Sequence, residues 1–216
     1  MKKLTTTLFA LLFVAATVWA QGTQKTLPVE NSATVDIGVV INGVTWATRN
    51  VDAPGTFAAT PENAGMFYQW NRKKAWSATE PMINSNGKTK WQKKIPKGSQ
   101  WEKNNDPSPK GWRVPTTAEQ QSLLDESKVT NEWVIQNGVK GRLFTDKFTG
   151  NQLFLPAAGF RVLSNGKRAG TKGSYWVSTA NKYDKEEAYY LDFDERDTGV
   201  YSCKRSFGFC VRAVAE

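Results

Sequence analysis

Histidine is absent from all 216 residues. Without imidazole the chain can form no Ser/His/Asp or Cys/His catalytic arrangement and no His-ligated metal site. Acid–base work is left to carboxylates, lysine and tyrosine, and metal binding to oxygen ligands of the kind calcium takes. There are two cysteines, Cys203 and Cys210, too few for a disulfide-dense scaffold or a four-cysteine zinc site. Beyond residue 20 no apolar run is long enough to cross a bilayer as a helix.

At the N-terminus, Lys2 and Lys3 precede an apolar stretch from Leu8 to Trp19, and Val18 and Ala20 stand where a signal peptidase wants small residues. Residues 1–20 are therefore expected to be a cleaved signal peptide, placing the mature chain in the periplasm, at the cell surface or outside the cell. Residue 21, directly after the cleavage point, is Gln and not Cys, which leaves a lipidated N-terminus without an attachment site. Residues 21–36 are polar and lack periodicity, and read as a flexible leader. The remainder, 37–216, suits one domain with a full core. Eight of the nine tryptophans lie in it and supply much of that core, each needing a partner for its indole N–H when buried.

The net charge of +9 is local. Residues 71–110 hold ten basic side chains (Arg72, Lys73, Lys74, Lys88, Lys90, Lys93, Lys94, Lys97, Lys103 and Lys110) against three acidic ones (Glu80, Glu102 and Asp106). This basic insertion, rich in Asn, Ser, Gly and Pro and carrying Trp76, Trp91 and Trp101, reads as a long surface excursion. It could be a solvated loop pinned by its tryptophans, a contact for a polyanion or anionic glycan, or a single-strand nucleic-acid surface. The first is preferred, and nucleic acid is not an expected partner of an exported protein.

Val39 to Ile41 and Val44 to Ala47 flank Asn42-Gly43 and predict a hairpin. Met66 to Trp70, Gly141 to Thr145, Gln152 to Leu155, Tyr175 to Ser178, Tyr189 to Phe193, Val200 to Cys203 and Phe209 to Val214 read as strands, with turns at 149–151 and 164–166. One helix is expected after Pro115, with Thr116 and Glu119 as a capping box, Leu123 and Leu124 on its apolar side, and an end near Glu126. Few helices and many short antiparallel strands predict an α+β domain.

Six phrases carry a resemblance: Val39 to Val51 (VVINGVTWATRNV), Ala64 to Asn71 (AGMFYQWN), Asp106 to Glu119 (DPSPKGWRVPTTAE), Phe154 to Arg161 (FLPAAGFR), Gly173 to Thr179 (GSYWVST) and Ser206 to Val214 (SFGFCVRAV). In this order they resemble the Fibrobacter succinogenes major paralogous domain family over residues 37–216. That family is similar to the C-type-lectin-like fold, shared with formylglycine-generating sulfatase-modifying enzymes and the variable proteins of diversity-generating retroelements. The resemblance implies short antiparallel strands with one or two helices and long loops, and a ligand surface between Gly173 and Phe207.

Within that stretch Lys182, Tyr183, Asp184, Tyr190, Asp192, Arg196, Tyr201, Lys204, Arg205 and Phe207 are the candidate ligand-binding residues. Tyrosine and arginine favour such surfaces because they offer rigid area with a polar end. Strand alternation predicts Tyr189, Leu191 and Phe193 buried and Tyr190, Asp192 and Asp194 displayed. Trp112, Arg113, Trp176 and Arg212 read as framework. Asp192, Asp194, Glu195 and Asp197 are weak calcium candidates, lacking the glycine and terminal glutamate of an EF-hand loop. Otherwise no cofactor is expected.

Cys203 and Cys210 are expected to form a disulfide across a hairpin of the last strands. Free buried thiols and a copper-dependent oxidase pair are the alternatives. The expected function is non-catalytic recognition of a glycan or glycoprotein. The alternatives are a formylglycine-generating-type oxidase and a subunit of a surface fibre or adhesin complex. The oligomeric state is left open by the sequence.

Overall fold

The computed structural model describes residues 35–163 and 165–216. The expected signal peptide and nearly all of the leader lie outside the described residues. Asp36–Glu216 forms one compact unit. Its first strands are β1 (Val39–Ile41), β2 (Val44–Trp46), β3 (Met66–Gln69), β4 (Ala75–Ser77) and β5 (Trp112–Arg113). The helix α1 (Thr117–Ser122) follows. Then come β6 (Val129–Gln136), β7 (Val139–Asp146), β8 (Gln152–Pro156), β9 (Phe160–Val162) and β10 (Asn165–Lys167). The chain closes with β11 (Gly173–Ala180), β12 (Glu187–Phe193), β13 (Thr198–Lys204), β14 (Gly208–Phe209) and β15 (Val214–Ala215).

The expectation of an α+β class is overturned: fifteen strands in four sheets stand against one α-helix of six residues and a single 3₁₀ turn at Lys103–Asn105 among the described residues. This is a β-rich fold. The helix starts as the sequence predicts, because Thr116 accepts from the Glu119 amide while the Glu119 carboxylate accepts from the Thr116 amide. It stops at Ser122 rather than near Glu126, and the buried Leu123 serves as its C-terminal cap. A helix this short presents too little apolar surface to form a layer of its own.

Sheet order is β1-β2-β15-β5, β10-β9-β14-β3-β4, β11-β12-β13 and β6-β7-β8. Two hairpins turn on Asn-Gly pairs whose positive φ angles (47° and 79° at Asn42-Gly43, 48° and 80° at Asn137-Gly138) match the twist of the flanking strands. The last strand, β15, lies between β2 and β5, so the two ends of the compact unit share a sheet.

Two apolar clusters fill the interior. One gathers Trp46, Phe67, Trp76, Phe144, Tyr175, Leu191 and Phe193; the other gathers Tyr68, Trp70, Trp176, Phe209 and Val211. The indole N–H groups of Trp70 and Trp176 donate to the Val177 and Tyr68 carbonyls at 3.0 and 2.7 Å. Those of Trp46 and Trp76 meet no acceptor among the described residues.

The recurring Arg phrases also close on the scaffold. Arg113 pairs with Glu119, whose carboxylate also receives the Thr116 amide. Arg161, fully buried, donates to the Ser77 and Thr79 carbonyls and to Glu80.

Candidate ligand-binding cleft

β11 crosses the interior almost wholly buried and emerges at Ala180. The next six residues turn the chain back into β12, and Asn181 shapes that turn. Its amide donates to the Glu187 carbonyl at 3.0 Å, its Nδ2 donates to Ser202 Oγ at 3.1 Å, and its Oδ1 accepts from the Tyr183 amide at 2.9 Å. Asp184 Oδ1 accepts from the Glu186 amide at 2.8 Å. Asparagine and aspartate suit such turns because their side chains satisfy backbone amides two residues on.

The basic insertion supplies the facing wall. The Ala180 amide donates to the Ser99 carbonyl at 3.0 Å and the Trp101 amide to the Ser178 carbonyl at 2.8 Å, which align residues 99–101 along the end of β11. Arg205 completes the attachment. Its Nη1 donates to the Pro96 and Gly98 carbonyls at 3.1 and 2.9 Å, its Nε donates to the Glu187 carbonyl at 2.9 Å, and the guanidinium lies 4.4 Å from the Trp70 ring centroid.

Between these walls lies a cleft of about 700 Å³, with Ile95, Pro96 and Ala180 on its surface and Lys97, Lys182, Lys185 and Glu186 exposed around it. Tyr183, next to Lys182, is 81% exposed, with the Lys182 ammonium 4.8 Å from its ring centroid. Such a mixture of apolar wall, mobile cations, amide and aromatic lip can bind a polar ligand and orient it.

The ten candidate residues do not converge. Lys182, Tyr183 and Asp184 sit in the β11–β12 turn beside the cleft, with Lys204 near them through its pairing with Glu187. Arg196 lies in the β12–β13 turn, about 20 Å away along a seven-residue strand. Tyr201 is exposed on β13, its hydroxyl donating to Asp197 at 2.7 Å.

Four of the ten are framework. Arg205 is only 3% exposed and holds backbone carbonyls rather than facing solvent. Tyr190 packs 4.6 Å from Phe209 and also against Trp176, while Phe207 packs against both Phe160 and Phe209. Asp192 is buried, bonded to Lys172 and Ser174. The predicted alternation holds at Leu191 and Phe193, which are buried, and breaks at Asp192, which is buried too, while Tyr189 and Tyr190 are both half-buried.

The calcium candidates point apart. Asp194 Oδ1 accepts from the Arg196 and Asp197 amides, and these bonds hold its carboxyl below the usual range, the Arg196 amide contributing most. Asp197 accepts from Tyr201, Asp192 pairs with Lys172, and Glu195 is exposed. Among the described residues no cluster of three or more acidic or cysteine side chains could hold a metal ion.

The expected disulfide is also not formed: both cysteines are free. The hairpin imagined between them does not exist, since Cys203 lies on β13, which pairs with β12, whereas Cys210 follows β14, which pairs with β3 and β9. Burial pushes the Cys210 thiol up to about 12 and raises that of Cys203 as well. Protonated thiols are poor nucleophiles and poor metal ligands.

The residues missed in the sequence are Ile95, Pro96, Lys97 and Ser99 on the insertion and Lys185 and Glu186 in the turn. The turn residues were legible from their neighbours. Nothing in local pattern tied residues 95–99 to β11, because that join is made by long-range backbone bonds.

Arg205→Ala tests the join. Loss of the donor to three carbonyls is expected to cost about 2 kcal/mol and to speed tryptic cleavage at Lys93, Lys94 and Lys97, read by limited proteolysis beside thermal unfolding.

The fold and cleft define a β-rich domain whose surface loops are fastened to a rigid sheet. The chain belongs to the Lcl C-terminal domain family, whose profile matches residues 43–215, from the β1–β2 turn into β15. No curated protein and no solved structure matches the chain.

Proposed function

We propose that the protein is an exported, non-catalytic binding module that holds a surface glycan or glycoprotein in the cleft between residues 95–99 and 179–186, a reading that includes its finer resemblance to the Fibrobacter succinogenes paralogous domains. One observation carries it: both walls of the cleft are held by the protein's own hydrogen bonds, through Asn181, Asp184 and Arg205. A preformed site loses little conformational entropy on binding. Its apolar wall and the exposed Tyr183 suit the C–H face of a sugar, while lysines, Glu186 and Asn181 suit its hydroxyl and acidic groups. The oxidase alternative draws no support from two protonated thiols, one on β13 and the other in the segment after β14.

The purified protein would be screened on an array of glycans and mucins, beside two variants. Lys182→Ala/Tyr183→Ala/Lys185→Ala alters the cleft, and Arg196→Ala/Tyr201→Ala alters the far end of β12. The first is expected to lose about tenfold or more in affinity and the second to keep wild-type binding. Loss in the second alone would put the ligand on the β12–β13 turn and overturn the assignment.

A further inference from the structure

A second cleft, of about 750 Å³, lies on the insertion apart from the first. Six cations line it: Arg72, Lys74, Lys88, Lys90, Lys93 and Lys94. None of its lining residues is acidic, and none of the six cations makes an ion pair among the described residues. Arg72 is set in the wall by donating from Nη2 to the Lys94 carbonyl at 2.6 Å, while its Nε is buried without a partner among the described residues. Like charges gathered around a concavity raise the local potential and are relieved by a multivalent anion.

Two further features narrow the anion. Trp91 lines the cleft but is 7% exposed, and its ring centroid is 4.7 Å from that of Trp76, so no open aromatic face is offered to a nucleobase. Leu163, on the same cleft, is 49% exposed and adopts a φ of +56°. Glycine or asparagine is the ordinary choice at a left-handed position, and a half-exposed leucine there is costly on both counts. Ile83, 40% exposed, precedes Asn84, which also lines the cleft. A soluble polyanion has no use for such apolar groups, whereas a lipid surface does.

We infer that this cleft is a phosphate site for the headgroup of an anionic lipid, with Leu163 entering the boundary between headgroup and acyl chain. The lysines take the phosphate as compact charges and Arg72 adds a fixed donor. The site is independent of the glycan reading, since the two clefts share no lining residue.

The purified protein would be sedimented at physiological ionic strength with phosphatidylcholine vesicles, with and without about one-third phosphatidylglycerol. Binding is expected only with the anionic lipid. Lys90→Glu/Lys93→Glu, both exposed positions, should weaken it on the order of tenfold or more. Leu163→Asn, which suits the same backbone angle, should weaken vesicle binding several-fold while leaving inorganic pyrophosphate binding unchanged. Equal thermal midpoints would show that the variants fold. Equal binding to neutral vesicles, or an anionic-vesicle affinity unmoved by either variant, overturns the site. Retention by dextran sulfate or a single-stranded oligonucleotide without vesicle binding overturns the lipid assignment.

Discussion

Arg212→Ala is expected to lower stability by about 3–5 kcal/mol, through the cavity left and the buried acceptors stripped of their donor. Arg212 is fully buried. Its Nε donates to Asn50 Oδ1 at 2.9 Å and its Nη1 to the Ala47 carbonyl at 3.1 Å. Asn50 in turn donates to the Ala64 carbonyl at 3.0 Å and to the Tyr175 hydroxyl, which donates to the Pro156 carbonyl at 2.7 Å. One guanidinium thus joins the segment after β2, β11 and the end of β8. No carboxylate bonds to it, so carbonyl dipoles carry the compensation, and burial depresses its pKa.

Truncation would empty the volume and strip two buried acceptors of their donor, and an unpaired buried acceptor is costlier than a lost bond. Arg212→Met keeps the volume and sheds the buried charge. It should fall between wild type and alanine. Urea titration reads the difference directly, and the alanine variant should melt about 10 °C or more below wild type. A loss within about 1 kcal/mol would mean that the network relaxes around the gap.

How far this could be read from the sequence depends on the range of the forces involved. The Asn42-Gly43 hairpin and the Thr116 capping box were legible because each is settled within a few residues. Asn137-Gly138 carries the same hairpin signal, yet the β6–β7 ribbon was not predicted. Its first strand mixes Thr, Asn, Glu and Gln with apolar residues and has no clean alternation. The run from Phe209 to Val214 read as one strand but is split between β14 and β15, which belong to different sheets. Residues 210–213 instead bond backbone to backbone with residues 47 and 51 and with β11. Local propensity cannot see that partition.

The site divides in the same way. Tyr183 and Asp184 of the β11–β12 turn were legible as surface residues by chemistry, although this turn was not among those predicted. Arg205 and Tyr190 were misjudged for a physical reason: Arg and Tyr read as surface because burial leaves their donors unmet. Here three carbonyls converge on Arg205, and an aromatic shell of Trp176 and Phe209 receives Tyr190. Those partners come from segments remote in sequence, so no window could supply them.

Alkaline titration should unfold the protein steeply, and acid should act through its carboxylates alone because histidine is absent. Cys210, Tyr68 and Tyr175 are all fully buried. Burial pushes the Cys210 thiol up to about 12 and both phenols well above their ordinary value. Each group stays protonated in the folded state while the unfolded chain releases its proton near pH 8.5 for a thiol and near 10 for a phenol, in round numbers. Between those values and the raised folded ones the unfolded state binds fewer protons, so stability falls as pH rises. Cys210 and Cys203, whose thiol burial also raises, open the window at about pH 9, and the two tyrosines steepen it above about 10, where Cys210, Tyr68 and Tyr175 by themselves contribute roughly 4 kcal/mol per pH unit.

Urea midpoints measured from pH 7 upward should therefore hold steady and then collapse, with the tyrosinate absorbance of Tyr68 and Tyr175 appearing in step with unfolding rather than before it, after that of the exposed Tyr183 and Tyr201. Cys210→Ser removes one of the two raised thiols and should make the onset near pH 9 shallower, Cys203 keeping part of it, while leaving the tyrosine limb in place. Tyrosinate absorbance from Tyr68 and Tyr175 in the still-folded protein would mean that these hydroxyls reach water, which their bonds to the Asp52 and Pro156 carbonyls oppose.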